Sequence, residues 1–448
     1  MSVIAVAGAG HGGLTAAIKL ASEGYDVTVY EKKKKEDCGL EQVDSFDASA
    51  MDYAGFEIPE GWLSEPNELT FHSLDDSVEP ITVPVSNDYR NINVDRKELF
   101  CYLTDLAEKS GVKFRYETEI ISPIMLGGRV CGFKTVGGDV YADLVIDASG
   151  INSPLRINLP DYLHIQKEPE QYDFLNTYRA YFNRNEGVSD PKYRYSLYIK
   201  EDTGFDWLIT EKDYVDALII RFTPLTYPGI AKALNRLCDA NPQMGHNIIK
   251  NGKIVKISIS QCVAVFVADG YAAVGDSAFM TQPFKGSGIA YSIKAGTMLA
   301  NTVMADKNGI YSASTLWDYE KNYFKEIGFN ACRIALVKNL LPYMSAKEVN
   351  EIFSAKLVTN DDLLAFISGN IPAKQFPFIL RQKIKLLGSL PEFKSQLLML
   401  LGWAGKLALL EPFFPNEYTP EDAAKWAERY NNFFESVRKP AEEETEGE

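Results

Sequence analysis

The sequence predicts the α/β class, with an antiparallel β-sheet inserted into the first domain and a helical region at the C-terminal end. Three observations lead there: a glycine-rich turn between an apolar strand and a helix at the N-terminus, strand-like alternation from 157 to 262, and helical periodicity beyond residue 310. At roughly 150 residues per domain, a chain of 448 residues has room for two or three. The division is 1–156 for the first part of the opening domain, with a polar loop excursion over about 40–90. Residues 157–262 form the inserted sheet, 263–309 return to the opening domain, 310–435 are helical, and 436–448 are an acidic disordered tail.

Ser2 to Ala7 is small and β-branched, as a buried strand requires. Gly8-Ala9-Gly10-His11-Gly12-Gly13 turns the chain, and Leu14, Ala17, Ile18 and Ala21 recur at helical spacing up to Gly24. Asp26 to Tyr30 is the second strand, closed by Glu31. A further helix starts at Asp95, an N-cap residue with Glu98 three positions on, and runs to Gly111 with Leu99, Phe100, Leu103, Leu106 and Ala107 on its apolar face. Gly137-Gly138 joins two hairpin strands, and Leu144 to Ala148 reads as buried strand. Many aromatic residues fall in the inserted segment, among them Tyr172, Phe174, Tyr178, Tyr181, Phe182, Phe205 and Trp207. Val263 to Val274 regains buried-strand character, and Gly286 opens a long helix.

The opening turn has chemistry of its own. Gly8, Gly10 and Gly13 satisfy G-x-G-x-x-G, and Glu31 follows at the end of the next strand. The first glycine permits the tight turn, the second lets backbone approach a pyrophosphate, and the third lets helix and strand pack closely. The acid is placed for ribose hydroxyls. This is the Rossmann-like dinucleotide pattern. A second site is predicted where Gly275-Asp276 follows a strand and Gly286-Ser287-Gly288-Ile289 opens a helix. The carboxylate suits the hydroxyls of a sugar-like chain, and the helix start suits developing negative charge.

Composition bounds the partners. With 46 Lys and Arg against 61 Asp and Glu, the formal charge of −15 argues against nucleic acid as a partner. Five glutamates sit in the eight residues after Pro440. Six cysteines without paired spacing give no zinc, iron–sulfur or disulfide framework, so no metal site is expected. The N-terminus shows no signal-peptide pattern, and the longest apolar run, Leu397 to Gly405, stops at Lys406. A cytoplasmic protein is expected; its C-terminal helices mix Phe376 to Leu380 and Leu397 to Leu410 with Arg381, Lys383, Lys385, Lys394 and Lys406, a combination that suits peripheral membrane contact as an alternative. A cap packed on the other domains is the preferred reading of those helices. The 24 Tyr and 24 Phe suit a pocket for a flat or greasy ligand, as well as an aromatic core.

Taken together, Gly8 to Gly13 with Glu31, Val94-Asp95-Arg96, Asp147-Ala148-Ser149-Gly150 with Ser153 and Arg156, and Gly275-Asp276-Ser277-Ala278 followed by Pro283 to Ile289 resemble the FAD-dependent geranylgeranyl reductase group. That group belongs to the p-hydroxybenzoate-hydroxylase-like flavoproteins. The resemblance implies a Rossmann-like FAD-binding domain in which Gly8, Gly10, Gly13, Glu31, Arg96, Asp147, Gly150, Arg156, Gly275, Asp276, Gly286, Gly288 and Ile289 bind or support FAD. It also implies a substrate wall, for which Phe205, Trp207 and Pro283 are the candidates; Thr210 stands where the group's tunnel segment carries proline. The implied activity is reduction of carbon–carbon double bonds in a small apolar, isoprenoid or lipid-like substrate, with NAD(P)H or another reductant as electron donor. Hydroxylation of an aromatic substrate is the alternative fate of such a flavin. A non-catalytic escort for prenylated partners is the alternative from another class. No proton donor is assigned: His11 sits in the nucleotide turn, and His72, His164 and His246 lie outside every motif.

Overall fold

The computed structural model describes residues 2–437 except 65–67, 74, 76, 85–89, 170–172, 190, 194, 201–203, 369–382, 384–387 and 389. Tyr172, the segment 376–381, Lys385 and residues 438–448 of the acidic tail lie outside the described residues, while Ser436 still ends a helix. The chain opens with β1 (Val3–Ala7), α1 (His11–Ser22) and β2 (Asp26–Tyr30). β3 (Val43–Asp47), α2 (Ser49–Ala54), β4 (Glu68–His72), β5 (Ile81–Pro84) and β6 (Asn91–Asp95) then lead into α3 (Arg96–Lys109). β7 (Lys113–Arg115), β8 (Ile120–Leu126), β9 (Arg129–Thr135), β10 (Gly138–Tyr141), β11 (Leu144–Asp147) and α4 (Pro154–Ile157) follow. Next come β12 (Phe174–Arg184), β13 (Tyr195–Lys200), β14 (Gly204–Thr210), β15 (Tyr214–Arg221), α5 (Tyr227–Ala240) and β16 (Met244–Ser258). β17 (Val267–Ala268), β18 (Tyr271–Ala273) and α6 (Ile289–Ala305) return to the opening domain.

The first sheet has the order β17-β18-β11-β1-β2-β7 and is parallel apart from the β17–β18 pair. β1 lies between two parallel partners, which explains why Ile4 to Ala7 are all buried and why no polar alternation marks this strand. Helices α1 and α6 cross in backbone contact. A Cβ on Gly296 would meet the Gly12 carbonyl oxygen at 2.2 Å, and one on Gly12 would meet Val274 Cγ2 at 2.6 Å and the Ser292 carbonyl oxygen at 2.9 Å. Only glycine permits that approach.

The second sheet has the order β16-β12-β15-β14-β13-β4-β5, antiparallel except where β13 runs parallel to β4. The excursion is therefore more than loop: its β4 and β5 complete the inserted sheet, and its β3 and β6 form a separate ribbon. A pairing between residues more than 100 positions apart, as Ser196 with Thr70, leaves no local mark in a sequence. Alternation along β15 sorts its side chains. Val215, Ala217 and Ile219 pack with Ile230, Ala233 and Leu237 of α5, while Leu218 and Ile220 face the opposite way. Tyr178 and Phe182 belong to the α5 side, so part of the aromatic excess is core.

The remaining helices are α7 (Ala313–Tyr323), joined through a π-helical turn at Phe324–Gly328 to α8 (Phe329–Leu340), then α9 (Ala346–Ser354), α10 (Asn360–Ser368), α11 (Lys394–Leu410) and α12 (Pro420–Ser436). They dock on the returning segment. Trp426 Nε1–H donates to the Ala264 carbonyl at 2.9 Å, and Tyr430 O–H to that of Cys262 at 2.8 Å. Glu320 accepts the Phe266 and Val267 N–H groups at 2.6 and 2.8 Å, and burial pushes its carboxyl up to about 8, so it is a neutral acid at pH 7. Leu397, Leu400, Trp403, Leu407 and Leu410 of α11 are buried, leaving Leu398 and Leu409 exposed. Among the described residues no helix is long and apolar enough to cross a membrane.

The α1–α6 contact gives a prediction. Gly296→Val should lower the unfolding free energy by about 3 kcal/mol, because the clash is with backbone and neither helix can yield alone. Gly402→Ala on α11, with nothing within 4 Å of the added carbon, should instead stabilise by about 0.5–1 kcal/mol. Denaturant titration of both variants checks the contrast.

Candidate functional site

A cavity of about 750 Å³ lies between the parallel sheet and the face of the inserted sheet turned away from α5. Its first wall is built from helix starts. α1 begins after Gly10 and α6 after Gly288, and neither N-cap residue offers a side-chain hydrogen bond to its helix. Gly10, His11 and Gly12 of one start and Gly286, Ser287, Gly288 and Ile289 of the other all line the cavity. Helix starts without a side-chain cap present N–H donors and the positive ends of their dipoles, a setting for negative charge.

Local rules explain how each piece is held. Gly8 turns out of β1 with φ +88, and an added Cβ would stand 2.6 Å from the Ala148 carbonyl oxygen. A Cβ on Gly13 would stand 2.5 Å from that of Ala148. Both glycines sit behind the cavity wall and fix the backbone there. Glu31 accepts the Ala9 N–H and the Lys33 N–H, each at 3.0 Å, which holds it against the turn outside the cavity lining. Arg96, the first residue of α3, does face the cavity and pairs through Nε with Asp44 at 3.1 Å. Asp95 caps α3 by accepting the Lys97 N–H at 2.9 Å, while Glu98 accepts the Trp62 indole N–H.

Asp147 and Arg156 are fully buried and absent from the lining. Asp147 accepts from Ser149, Ser153, Tyr271 and Ser277. Arg156 donates to the carbonyls of Lys167 at 3.0 Å, Ser277 at 2.7 Å and Ile151, with its guanidinium 4.5 Å from the Phe279 ring centroid. Ser277 is shared between them and also accepts the Gly150 N–H at 2.9 Å. The two charged residues thus clamp the Gly150 loop to the Gly275-Asp276 turn. Those two pieces, not the clamp, line the cavity.

Asp276 is exposed to the cavity but enclosed by protein, and burial raises its carboxyl above the usual range while Arg96 pulls it back. Burial and the Arg96 charge lower His11 to about 4, so this imidazole is neutral at pH 7. Lys285 also opens into the cavity; burial lowers its ammonium to about 8, with Asp47 opposing.

The opposite wall is apolar. Phe205 and Trp207 of β14 line it with Leu69, Phe71, Leu197, Leu218 and Ile220. Phe284 stacks on Phe205 at 6.1 Å. Pro283 is buried outside the lining. Sequence reading missed the floor, where Arg179 pairs with Asp216 and with Asp44 at 3.3 Å and lies 5.1 Å over Trp207. A signal existed: Arg179 and Asp216 are charged residues inside apolar strands, where an unpaired charge is costly. Asn91 also lines the cavity, with a buried Oδ1 that has no hydrogen-bond partner among the described residues. Among the described residues no group of three His, Cys, Asp or Glu side chains is placed to hold a metal.

The site fits FAD. Two helix starts offer donors for phosphates and for the flavin's carbonyl edge, Asp276 offers an acceptor for chain hydroxyls, and the turn holding these donors is fixed in place because a Cβ on Gly8, Gly10 or Gly13 would strike Ala148. Arg156→Leu should destabilise the fold by about 3 kcal/mol, since buried carbonyls lose their donor, and flavin is then lost in step with folding. Arg96→Gln should leave the melting temperature of the flavin-free protein unchanged and weaken FAD binding about ten-fold. Flavin fluorescence titration and thermal melts separate the two roles. Competitive acylation should show Lys285 losing its proton as pH rises through about 8, well below a surface lysine at roughly 10.4.

Comparison with known proteins agrees with this geometry. Residues 6–40 match the NAD(P)-binding Rossmann-like domain family. The chain is 24% identical over 407 residues to the digeranylgeranylglycerophospholipid reductase of Haloferax volcanii, covering 86% of this chain and 97% of that one. Among solved structures it is similar to a geranylgeranyl bacteriochlorophyll reductase-like protein from Thermoplasma acidophilum, with a TM-score of 0.70 and 20% identity over 86% of this chain and 99% of that one. It is also similar to the FAD-dependent myxobacterial chondrochloren halogenase, with a TM-score of 0.59 and 19% identity over 83% and 91% of the two chains. The motifs, the fold and these likenesses agree: the chain is similar to a digeranylgeranylglycerophospholipid reductase over nearly that protein's full length and shares the fold of an FAD-dependent enzyme.

Proposed function

We propose that the protein is an FAD-dependent reductase that saturates carbon–carbon double bonds of an apolar, isoprenoid or lipid-like substrate, fed by NAD(P)H or another reductant. One observation carries the reading: a single cavity joins two helix starts suited to a flavin with an apolar wall suited to a hydrocarbon chain. The full-length likeness to a digeranylgeranylglycerophospholipid reductase supports the substrate class. FAD, once reduced by that reductant, would supply a hydride equivalent to one carbon of the double bond, with a proton from protein or water completing the other.

The chain's own residues have defined parts. Gly10 to Gly12 and Ser287 to Ile289 present backbone donors, Arg96 and Asp276 hold the polar arm, and the Asp147–Arg156 clamp fixes the two loops between them. Phe205, Trp207 and Phe284 shape the wall along which an apolar chain lies and exclude water from it. Lys285 carries its proton at neutral pH and places positive charge in the cavity, where it favours accumulating negative charge.

Likeness to an FAD-dependent halogenase keeps oxygen chemistry as the second reading. Anaerobic turnover with reductant decides. Under the proposal a polyprenyl substrate gains two hydrogens per event without oxygen. Consumption only in the presence of oxygen, with gain of one oxygen atom, would make the protein a monooxygenase. Purified protein that holds an isoprenoid but no flavin would make it an escort.

A further inference from the structure

β16 departs from the chain around it. It is the outer strand of the inserted sheet, paired with β12 along one edge, and among the described residues no strand pairs with its other edge. From His246 to Lys256 every residue except Lys250 and Gly252 is exposed. Its large apolar side chains are exposed with the rest: Ile248 by 48%, Ile249 by 56%, Ile254 by 41% and Val255 by 46%. The strand bends at a bulge, where Asn251 and Gly252 take φ of +65 and +95. A long apolar edge open to water is a liability that proteins cover.

Charge indicates what covers it. Met244–Ser258 carries Lys250, Lys253 and Lys256 and no acid, in a chain whose formal charge is −15. Asp95 pairs with Lys250 at 3.1 Å, which leaves Lys253 and Lys256 as the exposed lysines of the edge; nearby Glu41 pairs with Lys97 at 3.8 Å. The position is equally specific. Lys253 and Val255 line the cavity as well as the surface, so this strand is a wall of the cavity and part of its rim. Arg179, which lies on the cavity floor, pairs in register with Lys253.

We propose that β16 is the edge by which the protein rests on an anionic lipid surface, its isoleucines entering the interface and Lys253 and Lys256 meeting headgroups, with the cavity opening onto the bilayer beside it. The net negative charge of the chain opposes attachment to such a surface, so an edge that is both basic and apolar sets attachment and orientation. A lipid-like molecule then reaches the apolar wall without crossing water. Vesicle binding reads this surface without turnover, so it stands or fails separately from the reductase reading.

The test is flotation of the full chain with vesicles of phosphatidylcholine alone and of phosphatidylcholine with phosphatidylglycerol. Binding is expected to the anionic vesicles only and to fall with salt, as for a polybasic contact. Ile249→Glu with Ile254→Glu should weaken it by on the order of ten-fold or more, while FAD content and melting temperature stay unchanged. If that pair fails to fold, Ile249→Ser with Ile254→Ser gives the same reading. Lys32→Gln with Lys34→Gln, in the lysine run 32–35 that follows β2 and is no part of β16, should leave binding unchanged. No binding to anionic vesicles, binding indifferent to the isoleucine substitutions, or equal loss from the Lys32 and Lys34 control would overturn the proposal. So would concentration-dependent dimerisation that the isoleucine substitutions abolish, since the edge would then pair with a second copy of the chain.

Discussion

The site depends on how closely α1 and α6 approach. Their backbones touch at Gly12 and Gly296, and that contact sets two helix starts side by side on one cavity although they are more than 270 residues apart in the chain. Side chains at either position would push the helices apart and separate the two groups of N–H donors. The rest of the opening domain serves the same geometry. β1 and β18 flank β11, and their C-terminal ends deliver the Gly8 turn and the Gly275 turn to the same edge of the sheet. This is where open α/β sheets hold ligands.

A second layer of control is electrostatic. Asp147 and Arg156 are withdrawn from the cavity and spend their hydrogen bonds on Ser149, Ser153, Ser277, Tyr271 and the carbonyls of Ile151, Lys167 and Ser277. Satisfied in this way, two buried charges make a rigid junction of three loops. The cavity face is then left with groups whose charge the environment adjusts: a neutral His11, an ammonium lowered at Lys285 and a carboxyl raised at Asp276. Burial is the leading cause of all three shifts, as expected where a ligand would replace water.

The opening unit was legible because its signals are local. The strand of small and β-branched residues, the spaced glycines and the acid at the next strand end each follow from near-neighbour sterics, and β1, α1 and β2 stand where that pattern puts them. The same holds for the Asp95 cap and the Gly275-Asp276 turn. Non-local features were not legible. The pairing of β13 with β4, the role of Gly12 against Gly296 and the pairing of Arg179 with Asp216 and Asp44 all depend on which distant segments meet. The motif residues also divide in a way sequence could not show. Gly10, Arg96, Gly150, Gly275, Asp276, Gly286, Gly288, Ile289, Phe205 and Trp207 line the cavity, whereas Gly8, Gly13, Glu31, Asp147, Arg156 and Pro283 stand behind it.

The central claim is that the paired helix starts form a seat for one FAD. Calorimetric titration of flavin-stripped, folded protein with FAD tests it most directly. The account predicts one FAD per chain, bound at micromolar strength or tighter. Folded protein that takes up no FAD, or that binds a nicotinamide nucleotide in its place, would contradict it.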